Sequence, residues 1–294
     1  MRITLRHGRL TAEVETMGGE LVSLRDRRGT EYIWNGDPAY WAGRNPVLFP
    51  IVGGLKGGKI SIGGGTYEMG RHGFARQKEF SLREQGEDLV EFELREDPDT
   101  LRQYPFPFSL RVRHQLAEDG FVTRFIVTNT GSLPMPFCVG AHTAFCCPLE
   151  EGAAFEDYRL VFEQPEDADA ILLNADGCLC YDRREAVLRG EDTIPLDHGV
   201  YDRLDTLIFE GLRSRTVKLV HKDSGRGVQM DVSQFPMLAF WTKPNARAPY
   251  ICMEPWQGCA ACEQESGRFE DKPHCVILAA GESRTLTYTV TILE

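Results

Sequence analysis

The chain has 294 residues, with 44 acidic against 33 basic side chains and a formal net charge of −11. That balance, without any run of Lys and Arg, argues against nucleic acid and anionic membrane surfaces as partners. No run of roughly 18 apolar residues occurs, and Met1-Arg2-Ile3-Thr4-Leu5-Arg6-His7 lacks the apolar centre of a signal peptide, so a cytoplasmic protein is expected.

The first third reads as strand, turn, strand. Segments 2–6, 10–16 and 20–25 alternate apolar and polar residues, with Gly18-Gly19 and Arg28-Gly29 as turns. A short strand over 31–34 leads into the turn Asn35-Gly36-Asp37-Pro38. Segment 43–54 is apolar but carries Pro and Gly, and reads as an ordered loop crossing a core face. Segments 59–62 and 66–69 form a hairpin around Gly63-Gly64-Gly65, and 80–83 and 89–95 repeat the two-residue period.

Further along, 97–104 is a short helix ended by Pro105 and Pro107. Strands 108–116 and 121–129 are joined by Glu118-Asp119-Gly120, whose Asp-Gly pair favours a hairpin. Segment 134–143 continues as one strand. The acidic middle, 148–202, offers short strands at 158–162 and 171–174, with loops near 163–169 and 183–197. Strand character returns at 204–209, 216–221, 227–232, 237–241 and 284–293, and Tyr250-Ile251-Cys252 reads as the end of a buried strand. No helical pattern of about 12 residues occurs, the usual helix length. A single all-β domain over 1–294, a large antiparallel β-sandwich, is the simplest architecture.

Several polar residues break this apolar pattern. Glu254 follows Ile251-Cys252-Met253 and precedes Pro255-Trp256, and the proline holds it extended. A carboxylate there is costly to bury without a partner or a task, and otherwise turns into solvent at a sheet edge. Gly70-Arg71-His72-Gly73-Phe74-Ala75-Arg76 sets an Arg-His pair between glycines that permit close backbone approach. Arg71 and Arg76 offer planar donors to oxygen-rich ligands, or form a solvated basic loop. His142, in Gly140-Ala141-His142-Thr143, is a core histidine or a proton carrier. Asp205, before the 204–209 strand, binds hydroxyls or, with Asp202, caps a turn. Trp34, Trp41, Trp241 and Trp256 are core indoles or supply faces of the kind that pack on pyranose rings.

Nine cysteines in a chain of this length are a low density. The odd count and the adjacent Cys146-Cys147 fit reduced thiols better than a disulfide framework. Cys259 and Cys262, with His274-Cys275, suggest zinc. Only one pair has the CxxC spacing, however, so a loop with incidental thiols is the reading and no metal is expected.

In order along the chain, Gly18-Gly19-Glu20-Leu21-Val22-Ser23-Leu24, Glu31-Tyr32-Ile33-Trp34-Asn35-Gly36-Asp37-Pro38, Val47-Leu48-Phe49-Pro50-Ile51-Val52-Gly53, Arg71-His72-Gly73-Phe74-Ala75-Arg76, Gly140-Ala141-His142, Asp205-Thr206-Leu207-Ile208-Phe209 and Glu254-Pro255-Trp256-Gln257-Gly258 resemble the aldose 1-epimerase (galactose mutarotase) family, in particular its LacX-like branch. The resemblance implies a galactose mutarotase-like supersandwich, a sugar site on a concave sheet face, and no metal or organic cofactor. It implies that His72 is the first site histidine, His142 the general acid, Asp205 the aspartate on sugar hydroxyls (with Asp202 close by), and Glu254 the general base. Arg76 or Arg71 adds a sugar contact, and Trp256 helps hold the carboxylate against the sugar. Thr143 stands where LacX-like proteins often have proline, and the 259–275 segment departs from the family's loop.

The expected function is thus an aldose 1-epimerase acting on a free aldohexose, in which Glu254 takes the O1 proton and His142 protonates the ring oxygen. Mutual attraction is expected to keep Glu254 ionised and His142 protonated. The alternatives are a hexose-6-phosphate 1-epimerase, which needs basic residues at the phosphate, and a non-catalytic sugar-binding module. A glycoside hydrolase using Glu254 and Asp205 would leave the histidines idle. Oligomeric state is not legible.

Overall fold

Two-residue alternation builds the largest layer. In the computed structural model, which describes residues 1–294, nine strands form one antiparallel sheet. Their order is Leu179–Pro195, Tyr158–Leu173, Thr216–His221, Gly227–Asp231, Ser283–Leu293, Gly120–Asn129, Phe108–Ala117, Leu89–Arg95 and Ser81–Gln85. Along its central hairpin Phe121 pairs with Leu116 and Phe125 with Val112, all buried. Arg111 points the other way and meets Glu91 of the next strand at 3.1 Å. Each strand of this hairpin thereby separates a core face from a solvated one, as a period of two requires.

A second antiparallel sheet holds Glu254. Its order is Thr206–Glu210, Met237–Trp241, Tyr250–Gln257, Val139–Ala141, Val47–Leu48, and Thr143–Cys146 also pairs with Tyr250–Gln257. Phe162 of the large sheet meets Phe209 and Phe240 of this one at ring distances of 6.3 and 6.1 Å, so the two sheets pack face to face. The core is a cluster of 76 buried residues, joined by a three-stranded sheet of Arg2–His7, Leu10–Glu15 and Glu20–Arg25. A smaller cluster of Trp34, Ala144, Ala248, Tyr250 and Cys252 underlies the outer side of the second sheet. The all-β sandwich expectation holds.

The hairpins of the first half form as expected, and so does the short helix. Asp97 caps Pro98–Gln103, its side chain accepting from the Asp99 and Thr100 amides. The 43–54 segment is a buried loop apart from the two-residue strand Val47–Leu48.

Five expectations need correction. Residues 31–34 make isolated bridges instead of a strand, because the Glu31 carboxylate accepts the Leu24 and Ile33 amides that a ladder would use. The single strand over 134–143 is three, Met135–Phe137, Val139–Ala141 and Thr143–Cys146. The expected loops near 163–169 and 183–197 belong to one long ribbon, Tyr158–Leu173 with Leu179–Pro195, whose register shifts four times. Half of that ribbon is solvated on both faces, so it lacks the apolar alternation that marks a strand. A short helix, His198–Leu204, capped by Asp197, delays the next strand to Thr206. Finally, the strand expected to end at Cys252 runs on to Gln257, so Glu254 lies inside a strand and not at its end.

Candidate active site

Glu254 pairs with Ala239 on one side of its strand. On the other side Thr143 pairs with Met253 and Gly140 with Trp256. These two pairs share one register, which sets His142 opposite Glu254 at the gap between Val139–Ala141 and Thr143–Cys146. Pro255 offers no amide to a ladder, and the pairing is interrupted beside it. Across the gap His142 Nε2 lies 3.3 Å from Glu254 Oε1, with only 9% and 2% of the two side chains exposed. Cys252, Glu254 and Trp256 alternate onto one face of the strand.

His72 arrives from a strained turn. Its φ is +67°, and Gly73 follows at +70°. The Phe49 carbonyl accepts the Phe74 and Ala75 amides, and a Cβ on Gly73 would lie 2.2 Å from that carbonyl oxygen. Only glycine fits there. The Gly53 amide donates to His72 Nδ1 at 3.1 Å, so the ring proton sits on Nε2. The His72 and His142 rings meet edge to face at 5.5 Å.

Asp205 ends the helix His198–Leu204 with φ +63°, its amide bonded to the Tyr201 carbonyl and its carboxylate accepting the Thr206 hydroxyl at 2.8 Å. Asp202 accepts the Asn245 amide and faces Arg247, away from the cavity. Asp205 is therefore the aspartate brought to His72, His142 and Glu254.

These four residues line one open cavity of about 240 Å³, with Arg71, Arg76 and Trp256. It lies below the roughly 300–1,000 Å³ of drug-sized sites and suits a small ligand. Trp41 lies over the His142 ring at 4.7 Å and Trp241 abuts it edge-on at 5.6 Å. Arg76 Nη2 donates to the Arg71 carbonyl at 2.9 Å, and neither guanidinium pairs with a carboxylate. The seven residues that the resemblance assigns to the site converge here, whereas Trp34 packs on Tyr40 and Tyr250 instead.

Sequence reasoning missed Leu173, Gly177, Gly53, Ala260, Thr206 and Ile208 as parts of this wall. Leu173 and Gly177 stand at the tip of the ribbon that reads as irregular, and no local signal ties that tip to the site. Trp41 and Trp241 carried only the general signal of an indole.

Burial governs the titration of the site. It pushes the Glu254 carboxyl well above the usual carboxylate range, opposed in part by the Trp256 indole and Arg71. It pushes His142 down to about 3, aided by Arg76 and Arg71, and His72 well below its usual value, aided by His142 and the same arginines. Burial thus opposes the expected ion pair, because desolvation of both groups works against their mutual attraction. Four cavity residues also carry buried polar atoms without a hydrogen bond, namely Arg76 Nε, His142 Nδ1, Glu254 Oε2 and Trp256 Nε1; the indole lies near enough to Glu254 to act on its carboxyl but outside hydrogen-bond geometry.

Two groups of residues bear on metal binding. One nitrogen of His142, Cys252 Sγ and a Glu254 oxygen lie within 4.8 Å of one another, a set with the chemistry to hold a soft divalent ion. The sequence's other candidate does not assemble as a zinc set. His274 turns to Glu210 at 2.5 Å, and the Cys259 and Cys262 thiols lie by the buried Lys272 ammonium, a cation already in place.

The sequence profile described as aldose 1-epimerase matches residues 1–291. The plasmid and chromosomal LacX proteins of Lactococcus lactis subsp. lactis are each 35% identical over 301 residues, covering 100% of both chains. A solved galactose mutarotase related enzyme from Lactobacillus acidophilus superposes with a TM-score of 0.94 at 28% identity, over 100% of this chain and 98% of that one. A galactose mutarotase-like protein from Lactobacillus casei gives 0.92 at 28% identity, over 100% of both.

Proposed function

The chain belongs to the aldose 1-epimerase family, and from that premise we propose that it interconverts the α and β anomers of a free aldohexose by acid–base ring opening. The observation that carries this reading is the set of unpaired polar atoms on Glu254, His142, Trp256 and Arg76 around one indole-walled cavity. Buried polar groups are normally satisfied. A pyranose supplies hydroxyls for these atoms and a C–H face for Trp41 or Trp241.

Anomer exchange requires that the O1 hydroxyl lose a proton while the ring oxygen gains one. Glu254 as carboxylate takes the first, and His142 as imidazolium gives the second. The bond from C1 to the ring oxygen breaks, the aldehyde rotates about C1–C2, and closure reverses both transfers. A neutral Glu254–His142 pair, the form burial favours, holds the same number of protons as this ion pair. One transfer across the 3.3 Å gap converts the first into the second. Sugar hydroxyls that donate to the carboxylate favour the ionised form, because hydrogen bonds to a charged group stabilise that charge. His72, with its proton on Nε2, donates to a ring or hydroxyl oxygen, while Asp205 accepts from hydroxyls. A positioned acid or base contributes roughly 10²–10⁴-fold.

Polarimetry on freshly dissolved α-D-glucose or α-D-galactose tests the proposal. The protein should speed the approach to anomeric equilibrium, and Glu254→Gln and His142→Asn should each abolish that effect while remaining folded. A variant that keeps the wild-type rate has no part in the proton transfers. Calorimetric binding of sugar without any rate effect would instead support a binding module.

A second reading, a hexose 6-phosphate substrate, is favoured by the two arginines that lack carboxylate partners. Glucose and glucose 6-phosphate compared under equal conditions separate the two, since the second reading requires the phosphorylated sugar to turn over faster and Arg71→Ala to erase that preference.

A further inference from the structure

The loop that follows the Glu254 strand holds a pair of thiols that the proton chemistry does not use. Cys259 Sγ and Cys262 Sγ are 3.9 Å apart, turned toward each other across Ala260-Ala261. Cys262, 7% exposed, lines a separate surface cavity with Leu179, Tyr181 and Glu263 that shares no residue with the sugar cavity. Cys259 is fully buried behind it. The Lys272 side chain is wholly buried nearby, its ammonium 3.1 Å from Glu265, and Glu265 also accepts the Cys262 amide at 3.0 Å.

The residue between the thiols reaches the sugar cavity. Ala260 lines it, and a Cβ on Gly53 would fall 2.4 Å from the Ala260 Cβ, so the two backbones are in contact. Gly53 is the residue whose amide holds His72 Nδ1. The Ala261 amide donates to the Gly54 carbonyl, and its carbonyl accepts the Leu179 amide, both at 2.8 Å. The thiol loop is thus tied to the His72 support on one side and to the long ribbon on the other.

We propose that Cys259 and Cys262 form a reversible dithiol–disulfide site whose closure moves the cavity wall at Ala260 and Gly53. With hydrogen peroxide as oxidant, Cys262 as thiolate attacks one peroxide oxygen, giving a sulfenic acid and releasing the other oxygen as water. Cys259 then attacks that sulfur, the S–O bond breaks, and a second water leaves with the thiol proton. Two thiols and one peroxide become one disulfide and two waters. Cys262 takes the first step because the Cys259 thiol and Lys272 together hold it below its usual value, while burial resists, whereas the Cys259 thiol is pushed up. Closing the sulfurs from 3.9 Å to the roughly 2.05 Å of a disulfide must be absorbed by the loop they enclose, which includes Ala260.

The test uses the full chain, reduced and then exposed to a small molar excess of hydrogen peroxide. Peptide mapping after alkylation under denaturing conditions should show Cys259 linked to Cys262, with two of the nine thiols lost and restored by dithiothreitol. Hydrogen exchange should differ between the oxidised and reduced protein in peptides spanning Gly53 and His72. Cys259→Ser and Cys262→Ser should each remove both effects. Linkage of other cysteines, absence of any link, or a Cys259–Cys262 link with unchanged exchange at Gly53 and His72 would overturn the proposal. Neither readout requires sugar turnover, so the outcome is independent of the epimerase reading.

Discussion

Glu254 lies inside a strand, between Ala239 and His142, with its carboxyl raised by burial. A carboxyl raised in the folded state contributes stability below its unfolded value, near 4.3, and that contribution is lost as pH rises toward the folded value. Glu254→Gln removes this loss. The variant should therefore melt at or above the wild-type temperature at about pH 8 while losing at least roughly 10²-fold in epimerase kcat, the low end of one acid–base group's contribution. Thermal melts paired with polarimetry check both halves, and a variant that is inactive because it is unfolded fails the first. Gly73 is constrained for another reason. Gly73→Ala adds a Cβ at φ +70° and 2.2 Å from the Phe49 carbonyl oxygen. It should cost on the order of 3 kcal/mol in denaturant unfolding, as strain plus a clash.

The central hairpin carries a titratable group of its own. His114 of Phe108–Ala117 is buried, its Nε2 bonded to the Gly19 carbonyl at 2.8 Å and its Nδ1 to the Thr123 hydroxyl at 2.9 Å. A carbonyl only accepts, so the proton is on Nε2 and the hydroxyl donates to Nδ1. Burial lowers this histidine to about 4, against the Gly19 bond that raises it. The unfolded chain therefore takes up a proton before the folded one does, from about pH 6.5 downward. Stability should fall as pH drops from about 6.5 to about 4, by up to roughly 1.4 kcal/mol per unit for this one group. Urea midpoints across that range should show the slope. His114→Gln should flatten it at the price of some stability at neutral pH, though His72 and His142 add slopes of the same sign.

Phe49 joins the loop that supports His72 to the main core. It is fully buried, and its ring meets Phe74, Tyr104, Phe108 and Phe137 within 6.2 Å. Phe49→Ala should lower unfolding free energy by about 3–5 kcal/mol, the range for a deleted core aromatic. The cavity left there adjoins the Gly73 turn, so the variant should also raise KM in polarimetric assays. We take residues 1–294 as one folding unit, because a 76-residue core spans the sheets. A single cooperative transition by both circular dichroism and tryptophan fluorescence is the expected behaviour, and two separated transitions would contradict it.

Local chemistry was enough to mark the strands with one solvated face, because there the side-chain period of two survives in the residue order, as in 108–117 and 120–129. It was also enough to single out Glu254, His142, His72 and Asp205 as charged or titratable residues set against apolar or glycine-rich neighbours, but each kept a structural alternative until the family resemblance assigned it a role. The stretches 163–169 and 183–195 of the ribbon escaped, because strand segments solvated on both faces leave no hydrophobic period to read. Folding alone set the His142 to Glu254 register, which depends on a gap between two strands far from Glu254 in the chain. It also set the burial that shifts the titration of that pair. Sequence suggests attraction between opposite charges, but burial, which no residue order displays, pushes both groups toward their neutral forms.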